Sequence, residues 1–121
     1  MHRPSSSSVK IFSPEYTREE VVDALRAKTP QLLERLPLRW VVLFGSYANG
    51  SYTAFSDIDL LVVYAGGPRE DAFAIAKRTY GLRGLEPHVL SEEEFAAMLP
   101  TWQRMLQRSV NIWGQNPGEE P

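Results

Sequence analysis

"LFGSYANGSYTAFSDIDLLVVY", residues 43–64, joins two apolar runs through a turn-rich spacer and sets two acids, Asp57 and Asp59, at the mouth of the second run. An ionised carboxylate buried without a partner costs several kcal/mol or more, so the placement asks for a reason. In a strand, residues i and i+2 project from one face, which turns Asp57 and Asp59 the same way and Ile58 the other. Their Cα atoms are about 6.5 Å apart by strand rise, close enough for flexible carboxylates to converge on one or two hard cations. The plainer alternative is that Asp57 ends the loop as a turn residue and Asp59 caps an exposed strand start.

The run before the spacer, "LRWVVLFG" at 38–45, is β-branched, aromatic and apolar on both faces. It is too short for a typical helix and reads as a central, doubly buried strand. Gly45 then lets the backbone turn sharply, and Ser46 offers a hydroxyl and backbone N–H groups to an anion at the next helical turn. No Gly-Lys-Ser/Thr follows and no G-x-G-x-x-G is present, so phosphate would be held in another way. Residues 57–64 form the second apolar strand, stopped by Gly66-Gly67-Pro68.

Further out, Thr17 with Glu20 makes a capping box for a helix that Pro30 is expected to kink or interrupt. Residues 71–80 read as a helix and 85–90 as a third strand, which Pro87 assigns to a sheet edge or a bulge. Ser91 and Glu94 repeat the capping box. Residues 102–108 are an amphipathic helix, and "VNIWG" at 110–114 fits either its last turn or a short strand. Trp102, Met105, Leu106 and Trp113 form an apolar stripe that suits packing on the chain's own sheet, a protein interface or a homodimer. Strands separated by helices imply an α/β (α+β) class, a small mixed β-sheet covered by helices. The expected organisation is a flexible segment at 1–14, one domain at 15–114 and a flexible tail at 115–121.

Composition narrows the function. At 121 residues the chain has room for one core. It has no cysteine, so disulfides and thiolate metal sites are excluded. No apolar run approaches the roughly 20 residues that cross a bilayer, and the first residues lack the apolar stretch of a secretory signal, which makes a soluble, cytoplasmic protein the expectation. A net charge of −2 supplies no general field for a polyanion, so extended nucleic acid is not the expected partner.

Taken together, the Gly45-Ser46 turn, the spacer 47–56 and "SDIDLLV" with its apolar flanks resemble the nucleotidyltransferase signature of the DNA polymerase β superfamily, and its minimal nucleotidyltransferase branch above all. The resemblance covers about residues 41–94. It implies a polymerase β palm-like fold and transfer of a nucleoside monophosphate, AMP from ATP, to an acceptor hydroxyl with two Mg²⁺ ions. On the matching positions, Gly45 and Ser46 would hold the triphosphate, and Asp57 and Asp59 the metal. Glu86 stands where the family's third carboxylate, usually an Asp, is expected. Asn49 stands where an Arg is common, and it donates a hydrogen bond without charge. Glu86 also reads as a solvated edge charge, and His88, on the same strand face, as a solvated or core histidine. Relatives in that branch are often paired with a small helical HEPN-domain toxin, and some transfer AMP to its tyrosine. A non-catalytic, partner-binding antitoxin and a small-molecule nucleotidyltransferase are the competing functions.

Overall fold

The computed structural model describes residues 16–119, so the segment expected to be flexible at 1–14 lies outside the described residues, as do 120 and 121. Its centre is the pair of strands foreseen from the apolar runs. β1 (Leu38–Phe44) and β2 (Ile58–Tyr64) pair antiparallel, with Phe44 opposite Asp59 and Leu38 opposite Tyr64. β3 (Leu85–Ser91) adds parallel to β2, and β4 (Val110–Gly114) adds antiparallel to β1. The order β3-β2-β1-β4 is a mixed four-stranded sheet. Pro87 is therefore on an edge strand, where its missing N–H interrupts no inner ladder. "VNIWG" is a strand rather than a last helical turn.

Alternation along the strands sorts side chains into two cores. Val41, Leu43, Ile58, Leu60 and Val62 pack against α1 (Arg18–Leu33) and α3 (Ala72–Tyr80). Trp40, Val42, Phe44, Leu61 and Val63 pack against α4 (Glu92–Ala97) and α5 (Leu99–Met105), which contribute Phe95 and Trp102. The pairing with β2 slips between Leu38 and Trp40, so Leu38 joins the first core although Trp40, two residues on, joins the second. A bulge at that point turns the chain by one face.

The capping boxes form as the sequence suggests, with Thr17 and Glu20 at α1 and Ser91 and Glu94 at α4. Pro30 does not interrupt α1, which continues to Leu33. The missing hydrogen bond falls within the last turn, where fully buried Leu32 and nearby Leu36 hold the helix to the sheet. The C-terminal stripe is divided between the faces of the sheet: Trp102 is buried and Leu106 packed in the second core, and Trp113 packs on the first. Met105 stays exposed. Beyond β4, Gln115 donates its backbone N–H to Arg39 O, 3.2 Å away.

One buried polar link joins α1 to α3. Thr29 donates its hydroxyl to Leu25 O at 2.7 Å, which leaves the Tyr80 hydroxyl, 2.8 Å away, to donate to Thr29. Both residues are buried, and burial pushes the Tyr80 phenol up to about 12. Thr29→Val should cost about 1–3 kcal/mol in urea unfolding by stranding the Tyr80 hydroxyl. Adding Tyr80→Phe should recover much of that loss; strictly additive losses would show that the two hydroxyls are not coupled.

Candidate active site

The site is assembled where β1 ends. Asp59, on β2, has Phe44 opposite it on β1 and Glu86 opposite it on β3, so the two acids share a row across the sheet. The residue after Phe44 therefore passes directly over the Asp59 carboxylate. A Cβ at that position would lie 2.5 Å from Asp59 Oδ2. Only glycine leaves the space, and Gly45 also adopts φ +76 and ψ −155, a conformation essentially closed to other residues.

From Gly45 the chain turns into the single-turn helix α2 (Ser46–Asn49), with Gly45 O accepting from the Ala48 and Asn49 N–H groups. Tyr47 and Ala48 go into the core, and Ser46 is left half-buried at the first helical position. Its hydroxyl makes no hydrogen bond among the described residues. Asn49 is exposed; its side-chain carbonyl accepts from both the N–H and the hydroxyl of Ser51, at 2.9 and 2.7 Å, and so closes the turn. The spacer is braced further on. Tyr52 stacks on Tyr47 with centroids 4.3 Å apart, and Thr53 N–H donates to Ser56 Oγ at 2.9 Å. Asp57 follows, exposed, beside a cavity of about 210 Å³ that reaches Tyr16, Tyr47, Phe55 and Gly84. Asp59, Glu86 and Ser46 do not line that cavity.

Asp59 is the electrostatic centre. Burial pushes its carboxyl above the ordinary value; His88 opposes this, and the charges of Asp57 and Glu86 add to it. The two other acids are thus near enough to be felt by Asp59. His88, expected as a solvated or core histidine, is partly exposed, and its Nε2 is 3.9 Å from Asp59 Oδ1. Its position two residues after Glu86 on one strand face was the available signal.

An all-oxygen set of Asp57, Asp59 and Glu86 suits a hard divalent cation, and the space kept open at Gly45 lets the Asp59 carboxylate approach the turn. Among the described residues no three His, Cys, Asp or Glu side chains stand where they could hold a metal ion together. Asp57 and Glu86 are exposed.

A mixed four-stranded sheet that brings a Gly-Ser turn against an Asp-x-Asp strand is the nucleotidyltransferase fold. The chain belongs to the nucleotidyltransferase domain family, whose model matches residues 14–120. A crystal structure of a "putative nucleotidyltransferase" from Sulfolobus solfataricus is similar to it with a TM-score of 0.55 at 22% identity, covering 99% of this chain and 97% of that one. A toxin-antitoxin solved with AMP-PNP is similar with a TM-score of 0.54 at 23% identity, covering 75% and 74% of the two chains. Two Methanocaldococcus jannaschii proteins, each named a "putative protein adenylyltransferase", are 47% identical over 45 residues and 38% identical over 48. Those stretches cover 37% and 40% of this chain, and 40% and 49% of the relatives, so the match spans less than half the length of either relative.

Two outcomes test the geometry. Gly45→Ala should cost about 2–4 kcal/mol in urea unfolding, from the strained φ and the collision with Asp59. A loss below about 0.5 kcal/mol would show that the turn relaxes without glycine. For Asp59 the sign of the pH effect follows from its raised carboxyl. Such a group stabilises the fold below its unfolded pKa, and that contribution is lost as pH rises through the folded value. Asp59→Asn should therefore melt higher than the parent chain at neutral pH, by on the order of a degree or two, with the gap closing as pH falls through the carboxylate range. Differential scanning calorimetry across that range, without added divalent ions, measures it.

Proposed function

We propose that the chain is a divalent-cation-dependent adenylyltransferase that moves AMP from ATP to a hydroxyl of a partner protein. The observation that carries this reading is the approach of Gly45 to Asp59, which sets the Gly-Ser turn beside the Asp57-x-Asp59 pair. The acceptor oxygen attacks the α-phosphorus, the bond to the bridging oxygen of the β-phosphate breaks, and pyrophosphate leaves. Ser46, through its hydroxyl and the first N–H groups of α2, holds the phosphates. Asp57 and Asp59 would hold Mg²⁺ together with those phosphates, and Glu86 lies on the acceptor side, where its carboxylate takes the hydroxyl proton. Two bound Mg²⁺ ions would lower the pKa of the acceptor and offset charge on the leaving pyrophosphate. Positioning on the rigid strand ends carries much of the remaining rate.

A protein acceptor is favoured by what surrounds the site. The acids open to solvent at the end of the sheet, and the cavity of about 210 Å³ beside Asp57 is lined by neither Asp59 nor Glu86. An acceptor carried on a docked protein brings its own surface to such an open site. The toxin-antitoxin with AMP-PNP and a tri-AMPylated Shewanella oneidensis HEPN toxin in complex with MNT antitoxin, similar in fold with a TM-score of 0.50 at 21% identity, covering 78% of this chain and 73% of that one, support a HEPN-type partner that receives AMP; a tyrosine of that partner is the acceptor the family resemblance implies. Partner binding without catalysis is the second reading. It has Asn49 in its favour, whose carbonyl is engaged with Ser51 and which adds no positive charge for phosphate.

Co-expression with a HEPN-type protein, followed by Mg²⁺-ATP and intact-mass spectrometry, separates the two. One or more AMP masses are expected on the partner's tyrosine, reduced at least a hundredfold in rate by Asp57→Asn and by Glu86→Gln, with Glu86→Gln still binding Mg²⁺-ATP. A stable complex whose partner stays unmodified would leave binding alone as the function.

A further inference from the structure

The Gly-Ser turn carries no positive charge of its own, since residues 45–56 contain neither Lys nor Arg. Asp57, Asp59 and Glu86 are close enough to act on one another and deepen the shortage. A polyanion bound there calls for a cation from elsewhere in the fold. The sheet brings one to that end. β4 runs antiparallel to β1, so it starts where β1 stops, with Val110 opposite Leu43. Counted on in that register, Arg108 is level with Gly45, each two residues past the pair. Arg108 follows α5, which packs on the face of the sheet that Asp59 shares with Leu61 and Val63. Arg39 and Arg69 are committed to Glu92 and Asp71, and Arg18 begins α1 on the opposite face. Arg108 is exposed, and its guanidinium has no ion pair or hydrogen bond among the described residues. Its backbone is unusual as well. Its φ is +62, the one positive value at a non-glycine among the described residues, in a turn where Ser109 N–H donates to Leu106 O at 3.2 Å. A left-handed residue just past a helix is normally glycine, so an arginine is held there at a backbone cost, which points to a use for its side chain.

We propose that Arg108 binds the β- and γ-phosphates of a nucleotide seated on the Gly45-Ser46 turn, supplying the charge that Asn49 does not. The proposal rests on that turn being the phosphate site of the adenylyltransferase reading. A guanidinium presents paired N–H donors that match two phosphate oxygens. Negative charge builds on the pyrophosphate as its bond to the α-phosphorus breaks, so a contact there serves turnover as well as binding. Only the leaving part of the nucleotide is recognised. AMP, which lacks that part, gains nothing from Arg108.

The test is isothermal titration calorimetry of the full-length chain, in Mg²⁺, with ATP, inorganic triphosphate and AMP as probes. Arg108→Gln should weaken ATP and triphosphate by about tenfold or more, and AMP by less than about twofold. Arg108→Lys should recover part of the loss, because charge returns without the paired donors. Arg35→Gln removes an exposed charge between α1 and β1, at the other end of the sheet, and should change every probe by less than about twofold. Arg108→Gly relieves the positive φ, so it should melt no lower than the parent chain while losing triphosphate as Arg108→Gln does. Marked destabilisation of Arg108→Gly would assign the side chain to the fold and overturn the proposal. Unchanged triphosphate affinity in Arg108→Gln overturns it, as does equal weakening of ATP and AMP. An equal loss in Arg35→Gln would reduce it to a general charge effect and overturn it too. A parent chain that binds neither ATP nor triphosphate overturns both the Arg108 contact and the phosphate site beneath it. A HEPN-type partner that stays unmodified, beside an Arg108 contact that behaves as expected, removes the transferase reading and leaves the contact standing.

Discussion

A constraint on which much of the structure depends is the passage of Gly45 over the Asp59 carboxylate. Because Phe44 pairs with Asp59, the next residue has nowhere to put a Cβ, and the chain must leave the sheet there in a left-handed conformation. That departure sets where β1 stops and where α2 starts. It also sends Tyr47 and Ala48 inward, so the turn is anchored by buried side chains while Ser46 is kept near the acids. Tyr47 then supplies the ring on which Tyr52 stacks, and the Tyr52 hydroxyl accepts the Arg18 N–H at the start of α1. One steric fact thus runs from the carboxylate through the spacer to the first helix.

The two faces of the sheet do different work. The α1 and α3 face is a broad, mainly aliphatic core, and the α4 and α5 face is a smaller aromatic one in which Trp40, Phe44, Phe95 and Trp102 meet at edges. Asp59 and Glu86 lie on the smaller face, in one row across β2 and β3 beyond the strand positions that Leu61 and Val63 fill. A carboxylate there is partly desolvated by its neighbours yet open to water and ligand on one side, which is the environment that raises Asp59. The edge position of β3 completes the arrangement. Among the described residues its outer side has no partner strand, and Glu86 is exposed beside the row that Phe44 and Asp59 begin.

Much of this was legible in the chain because it depends on local signals. Both central strands came from apolar runs of strand length, both capping boxes from a residue pair three apart, and the edge assignment of β3 from Pro87. What was not legible depends on pairing register or on competition between faces. The slip at Leu38/Trp40 moves a side chain between cores with no local mark in the sequence. The continuation of α1 past Pro30 depends on Leu32 and Leu36 finding the sheet. The stripe at Trp102 gave no indication that Trp113 would pack on the opposite face. The approach of His88 to Asp59 was not legible for the same reason: the parity of His88 with Glu86 was visible, but the contact depends on the parallel register of β2 and β3.

The acids are also unequal in how firmly they are held, and this bears on why no finished cage exists among the described residues. Asp59 is fixed in the middle of a row, beneath Gly45 and beside His88, so its carboxylate has little freedom. Asp57 is exposed on the loop before β2, and Glu86 is exposed on the edge strand. A pre-closed cluster of three carboxylates would hold like charges together with nothing to offset them, which costs stability or forces protonation. In the proposed function, one fixed acid flanked by two that close only on a cation would avoid most of that repulsion until the counter-charge arrives. The rigid element would then define where the ion sits, and the exposed ones would adjust to its coordination and to the phosphates that come with it.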